Sequence, residues 1–405
     1  MSFVSHLECP KCQKSYSTQE IQHLCGCGSP LLARYDLEQV KKVMTKEALK
    51  SRAANMWRYL ELLPVSDPVQ IITLGEGFTP MLKVDNLAAE YGLENLWIKD
   101  EGLNPTGSFK ARGAAAGVTK AKELGVKAVA MPTAGNAGGA WSCYAAKAGM
   151  QAFIAIPQDA PAINKKECLA AGAELFLIDG LISDAGKFIG KGVKELGWYD
   201  AATLKEPYRI EGKKTMGFEI AEQFNWDLPD VVLYPCGGGV GLIGMWKAFD
   251  ELEAIGWISG KRPRLVAVQA SGCAPIVKAY EEGREDSDFW TGAETLADGI
   301  RVPKALGDFL VLKAIKETNG AAIAVTDDEI MAAKKLVGRK EGQVISPEGA
   351  AAVAAVDKMV QQGQIGRDER VVIFNTGSGL KYPELIEIDL PVYQPTEEDW
   401  LQKYR

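Results

Sequence analysis

Through most of the chain, short continuous apolar runs alternate with longer stretches of helical character. Ala128–Met131, Ala152–Ile156 and Leu175–Ile178 are such runs, and Ala137–Ala148, Ile163–Ala171 and Ile182–Leu196 are the helices predicted between them. A second series sets strands Val231–Tyr234, Leu265–Gln269, Ala321–Val325 and Arg370–Phe374 among helices near Thr215–Phe224, Leu242–Leu252, Pro275–Glu282, Asp308–Glu317, Asp327–Val337 and Glu348–Gln361. Strands that are apolar throughout, rather than alternating, belong to parallel sheet covered on both faces. The pattern therefore predicts an α/β protein of two doubly wound domains. Ser346-Pro347-Glu348 is a well-formed helix start, with cap, proline and acid in order. Upstream, Asp36–Leu62 is charged and helix-prone and reads as a linker helix, broken by Pro64 and Pro68. Leu87–Tyr91 reads as a short helix.

The length of 405 residues accommodates two domains and a small appendage. The expected division is a Cys-rich segment at 1–35, a linker helix with the first part of a large domain at 36–112, a smaller α/β domain at 113–204, and the rest of the large domain at 205–405. A net charge of −7 argues against a nucleic-acid or membrane-surface footprint. No apolar run approaches a membrane span, and the N-terminus lacks the pattern of a signal peptide. Four of the eight cysteines cluster near the N-terminus and four are scattered in apolar surroundings, which suits a reducing, cytoplasmic setting with a metal site rather than a disulfide framework.

Cys9-Pro10-Lys11-Cys12 and Cys25-Gly26-Cys27 place two thiol pairs on tight turns, the layout of a structural zinc site with four thiolates. The single residue between Cys25 and Cys27 is shorter than the usual two, and a metal-free remnant of such a site is the alternative. Four thiolates leave no open position for catalysis at the metal.

Four glycine-bearing loops fall at the carboxyl ends of predicted strands, where ligands of parallel sheets gather. The first is Asn104-Pro105-Thr106-Gly107-Ser108-Phe109-Lys110, which follows Leu96-Trp97-Ile98 and opens an Ala-rich helix, Ala111–Leu124. Ser108 and Thr106 are good cap types there. A lysine in the first turn of a helix meets the positive end of the dipole, which lowers its pKa and favours the free amine that Schiff-base chemistry needs. The same pattern also describes an ordinary surface lysine. Ser108, and not lysine, follows Gly107, so a nucleoside-triphosphate loop is rejected.

The second loop, Thr133-Ala134-Gly135-Asn136, offers backbone N–H groups to a carboxylate, or is a plain strand-to-helix turn. The third, Cys236-Gly237-Gly238-Gly239-Val240-Gly241, has the backbone freedom to wrap a phosphate. It contains a formal dinucleotide fingerprint, but the following strand ends in Gln269 rather than an acid, which argues against a nicotinamide cofactor. The fourth, Asn375-Thr376-Gly377-Ser378-Gly379-Leu380-Lys381, adds neutral hydroxyls. An amine, a phosphate cradle, a carboxylate site and a hydroxyl pair are the set that pyridoxal phosphate requires.

These motifs, together with Arg209-Ile210-Glu211-Gly212-Lys213-Lys214-Thr215, resemble the fold-type-II (tryptophan synthase beta-like) pyridoxal-phosphate enzymes. The closest likeness is to threonine synthases with an N-terminal cysteine motif, and it covers nearly the whole chain. The resemblance implies that Lys110 forms the internal aldimine and shuttles protons, that Phe109 packs beside the ring, and that Asn136 meets O3′. It further implies that Gly237, Gly238, Gly239, Val240 and Gly241 hold the cofactor phosphate and that Thr376 faces the pyridine nitrogen. Thr133, Ala134 and Gly135 would receive the substrate carboxylate and Arg209 the phosphate of O-phosphohomoserine, in a homodimeric lyase of threonine biosynthesis.

Two positions depart from the family pattern. Ala111 follows the lysine where threonine synthases usually carry Asp, as is common in ammonia-lyases. Glu206 replaces the usual Asn, and an inward carboxylate about 4 Å from a substrate phosphate would cost roughly 4 kcal/mol per charge pair. The alternative activity is a β-eliminating ammonia-lyase acting on threonine, serine or diaminopropionate. A scaffold protein that keeps the fold without the cofactor is a third reading, disfavoured by the intact Lys110.

Overall fold

The computed structural model describes residues 1–386, 388–396 and 400–401. The chain opens with β1 (Val4–Glu8), β2 (Ser15–Tyr16) and β3 (Leu32–Tyr35), then α1 (Leu37–Val43) and α2 (Lys46–Lys50). There follow β4 (Met81–Lys83), α3 (Asp85–Tyr91), β5 (Asn95–Asp100), α4 (Lys110–Glu123), β6 (Ala128–Pro132), α5 (Asn136–Ala148) and β7 (Gln151–Pro157). Next come α6 (Ala162–Ala170), β8 (Glu174–Ile178), α7 (Ile182–Leu196), β9 (Tyr199–Asp200), α8 (Arg209–Gln223), β10 (Val231–Pro235) and α9 (Val240–Ala254). The last elements are β11 (Arg264–Ala270), α10 (Pro275–Glu281), α11 (Asp308–Glu317), β12 (Ala321–Val325), α12 (Asp327–Glu341), α13 (Pro347–Gln361) and β13 (Arg370–Asn375).

Among the described residues, three sheets result. β2-β1-β3 is a small antiparallel sheet, β8-β7-β6-β9 is parallel throughout, and β12-β11-β10-β13-β5-β4 is parallel except for β4 at its edge. The order of the largest sheet assembles the site. β10, β13 and β5 are neighbours, with Asn375 opposite Asp100, so the Gly237 loop, the Thr376 loop and the Lys110 turn leave adjacent strand ends. The Asn136 loop leaves β6 of the four-stranded sheet. α4 spans the two, starting at Lys110 and packing on α5 and α8. Its Ala- and Gly-rich sequence makes that packing close: a Cβ on Gly117 would stand 2.5 Å from the Trp141 ring, and one on Gly212 would stand 2.0 Å from the Arg112 carbonyl oxygen.

Several sequence expectations need correction. Asp36–Leu62 is not one helix: it divides into α1, α2 and a 3₁₀ segment, Met56–Leu62, with caps at Asp36, Thr45 and Asn55 interrupting it. Neither Ser108 nor Thr106 caps α4. Phe109 holds the cap position with no side-chain hydrogen bond, and both hydroxyls are buried without a partner among the described residues. α8 begins at Arg209 rather than near Thr215, because Glu206 upstream receives its first N–H groups. The short strands β1, β2, β4 and β9 were not legible as apolar runs. Ser346 caps α13, with Pro347 following, as the sequence indicates. No described helix is long and apolar enough to cross a membrane.

Candidate active site

Lys110 stands at the start of α4 with its Nζ 4.0 Å from the centre of the Phe109 ring, and Nζ has no hydrogen-bond partner among the described residues. Burial pushes its pKa down to about 8. Glu348 opposes that shift, while Arg209 and Lys381 add to it. Desolvation is the largest contribution to the shift. Two residues on, the fully buried Arg112 donates to Glu101 at 2.6 Å and to Glu219 at 2.8 Å, and Lys99 reaches Glu219 at 2.7 Å. Breaking such a buried network costs about 3–5 kcal/mol, so the first turn of α4 is firmly anchored.

The other predicted residues come together around this turn. The backbone N–H of Phe109 donates to the Thr376 carbonyl at 3.0 Å, and Ser108 bridges to Gly377. Asn136 Nδ2 meets the Tyr382 hydroxyl at 3.2 Å, which in turn donates to Glu348 Oε1 at 3.0 Å. The same carboxylate oxygen accepts from Gly299 N at 2.8 Å, and the Gly299 carbonyl lies 2.7 Å from where a Cβ on Gly237 would stand. Asn136, Glu348 and the glycine loop therefore form one continuous wall. Thr133 closes its own turn onto Gly135, and the Ala134 carbonyl accepts from Asn164.

The Gly237–Gly241 loop is built for a group without side chains of its own. Gly239 takes φ +75° at the start of α9, and a Cβ on Gly241 would stand 2.0 Å from the Tyr234 hydroxyl. α9 has no side-chain cap, so its first N–H groups, from Val240 on, have no side-chain acceptor and are free to meet an anion. Asn136 Oδ1 is buried and has no hydrogen-bond partner among the described residues. A free amine, an uncapped glycine cradle and an orphaned amide oxygen fit pyridoxal phosphate.

Arg209 is buried at the start of α8 and not on a surface loop. Its guanidinium donates to Thr203 Oγ1 at 2.9 Å and to the Ala201 carbonyl, and Nε has no partner among the described residues. The ring of Trp141, one helix away on α5, lies 5.1 Å from it. Glu206 is buried, and burial raises its pKa against the lowering effect of Arg209. Its oxygens accept from the N–H groups of Tyr208 at 3.0 Å and Arg209 at 2.7 Å, and from the Tyr199 hydroxyl at 3.2 Å.

Sequence reasoning missed Tyr382, Glu348, Lys213 and Lys381 as members of the site. Lys381 donates to the Thr106 carbonyl at 3.2 Å and to Glu167 at 2.7 Å, tying the fourth loop to the first and to α6. It ends the quoted Thr376 motif, as Lys213 lies in the quoted Arg209 motif and Glu348 in the quoted helix start, so the signals for these three were present in the sequence.

In the N-terminal sheet, the Sγ atoms of Cys9, Cys12, Cys25 and Cys27 all lie within 4.8 Å of one another, with Cys9–Cys27 at 3.5 Å and Cys12–Cys25 at 3.4 Å. Tetrahedral zinc with bonds of about 2.3 Å sets sulfurs roughly 3.8 Å apart. The four thiols suit that ion despite the short second spacing. The Cys27 backbone N–H and the Tyr16 hydroxyl lower the Cys25 thiol to about 6.

Comparison with known proteins agrees with this geometry. Residues 72–377 match the family described as pyridoxal-phosphate dependent enzymes. The threonine synthase of Methanocaldococcus jannaschii is 39% identical over 377 residues, covering 93% of each chain. That of Methanosarcina acetivorans is 39% identical over 384 residues, covering 94% of this chain and 93% of the relative. Among solved structures, maize serine racemase shares the fold at a TM-score of 0.66 and 23% identity, over 80% of this chain and 91% of the other. The chain belongs to the pyridoxal-phosphate dependent enzymes and, within them, to the threonine synthase family.

Proposed function

We propose that the chain converts O-phosphohomoserine and water to L-threonine and inorganic phosphate. The observation that carries this reading is Arg209. Among the described residues its guanidinium donates only to neutral oxygens, and Glu206 and Asp200 offset the cost of burying it from a distance without contact; the substrate phosphate is an anion that would pair with it directly. Glu206 opposes it little, because its carboxylate faces the backbone N–H groups that start α8 and burial raises its pKa.

Pyridoxal phosphate, when bound, supplies the electron sink that makes the substrate's carbon-bound protons labile. It would be held by Lys110 covalently, by Gly237, Gly238, Gly239, Val240 and Gly241 at its phosphate, by Asn136 at O3′, and by Phe109 and Thr376 around the ring. A neutral hydroxyl at Thr376 leaves the ring nitrogen without an acidic partner. Thr133, Ala134 and Gly135 orient the substrate carboxylate, and Arg209 orients the phosphate on Cγ. In the net reaction the Cγ–O bond breaks and phosphate leaves with a proton, Cβ gives up a proton, Cγ gains one, and the hydroxyl of water adds at Cβ. Lys110 Nζ moves the protons, since a pKa of about 8 lets it both take and return them near neutrality.

The thiolates of Cys9, Cys12, Cys25 and Cys27 would hold a structural zinc. We also infer a cytoplasmic homodimer, and the division of the chain at residues 35, 112 and 204 given above. Equal release of threonine and phosphate from O-phosphohomoserine tests the activity.

A further inference from the structure

Lys213 has no role in the reading above, yet it touches the backbone of the reacting lysine. It lies on α8 four residues after Arg209, on the same helix face, and is buried. Its Nζ donates to the carbonyl oxygens of Phe109 at 2.7 Å and Lys110 at 3.1 Å, and stands 4.6 Å from the centre of the Phe109 ring. Missing side chains make this reach possible. A Cβ on Gly113 would stand 2.7 Å from Lys213 Nζ and 3.0 Å from the Arg209 carbonyl oxygen.

Two facts set this contact apart from ordinary packing. The Phe109 carbonyl already accepts from the Arg112 N–H at 3.3 Å, and the Lys110 carbonyl, in the first turn of α4, faces the N–H one turn further on, so neither depends on Lys213 for its only partner. Nor does an ion pair recompense the buried amine: among the described residues no carboxylate lies within salt-bridge distance of it. The largest charged influences on it are the cations Lys110, Arg209 and Arg112, opposed by Glu101. Burial and those cations hold its pKa well below the ordinary lysine range. Two of the N–H bonds of the amine are received by these two carbonyls.

We propose that Lys213 is a positioning residue: by clamping the Phe109 and Lys110 carbonyls it sets the direction from which the Lys110 amine and the Phe109 ring meet the cofactor. This rests on the cofactor reading and is independent of the substrate.

The test compares the holoenzyme with its Lys213→Gln and Lys213→Met variants by the visible circular dichroism of the bound cofactor, by kcat and by KM. Gln keeps a two-hydrogen donor on a shorter stem, and Met keeps the bulk with none. The expected order in cofactor ellipticity and in kcat is wild type, then Gln, then Met. Loss of geometry at the reacting centre lowers kcat by about 10- to 100-fold in the Met variant, with KM little changed. Wild-type ellipticity and kcat in a folded Met variant would overturn the proposal, as would losses that track melting temperature alone. If the Met variant does not fold, Gln decides: altered ellipticity with lowered kcat supports the clamp, and wild-type values for both overturn it. The ellipticity is read without substrate, so a wrong substrate leaves it intact, whereas a wild type with no visible band overturns the cofactor reading itself.

Discussion

Arg209 and Glu206 lie three residues apart and both are buried, yet their charged groups do not pair. Glu206 turns to the N–H groups of Tyr208 and Arg209, while the Arg209 guanidinium meets Thr203 and the Ala201 carbonyl. The carboxylate holds the start of the helix and leaves the cation free for a ligand. Arg209→Gln should therefore lower kcat/KM for O-phosphohomoserine by about 100-fold, the range of a lost charge-assisted contact. Because it removes an unpaired buried charge, it should leave the melting temperature unchanged or higher. Unchanged kcat/KM together with a destabilised protein would assign Arg209 to the fold instead.

Glu206→Ala separates the two residues in the other direction. It leaves the N–H groups of Tyr208 and Arg209 without their acceptor, at a cost of about 1–2 kcal/mol, comparable to a lost helix cap. Thermal unfolding should shift down, and KM for the phosphorylated substrate should rise as Arg209 loses its anchor. A fall in KM would mean that Glu206 does repel the substrate phosphate.

Burial places the Lys110 amine at about 8, below its ordinary 10.5. The group releases its proton through that lower value in the folded state, so covalent capture of pyridoxal phosphate by the apoprotein should quicken with pH and level off above about 8. Between about pH 8 and 10.5 the unfolded chain binds the proton that the folded chain has released. Across that window this group makes stability rise with pH. Stopped-flow absorbance gives the capture profile, and a midpoint near 10.5 would show an exposed, idle lysine. Borohydride reduction should fix the cofactor mass on the Lys110 peptide, and Lys110→Ala should abolish it.

The N-terminal thiols predict about one zinc per chain in freshly reduced protein, measured by elemental analysis. Cys9→Ser or Cys25→Ser should lose the metal and lower the first unfolding transition. Metal-free reduced protein with the same melting curve would leave the sulfur cluster without an ion.

Much of this was legible in local sequence. The glycine loops and Lys110 announce themselves because backbone freedom and a reactive amine are local properties, and the uniformly apolar strands reveal parallel sheet. The start of α8 was hidden, because Gly212, Lys213 and Lys214 carry no apolar pattern that would extend the helix back from Thr215. They are buried only through distant partners: Gly113 on α4 for Lys213, and Glu211, Lys247, Glu251 and Tyr35 for the Lys214 cluster. Glu348 was seen as a helix-start acid, but its contact with Tyr382, and through it Asn136, joins residues hundreds of positions apart and leaves no local trace. Ala111 next to the reacting lysine suggested an ammonia-lyase. It is wholly buried, in the crowded packing of α4, so its small size answers a packing demand.

The central claim is the substrate, and one assay tests it most directly: parallel turnover of O-phosphohomoserine, threonine and serine by the holoenzyme, with threonine, phosphate and 2-oxo acid all measured. The account predicts threonine and phosphate in equal amounts from O-phosphohomoserine, and little 2-oxo acid from the other two. Rapid 2-oxobutanoate from threonine, with no phosphate released from O-phosphohomoserine, would contradict it.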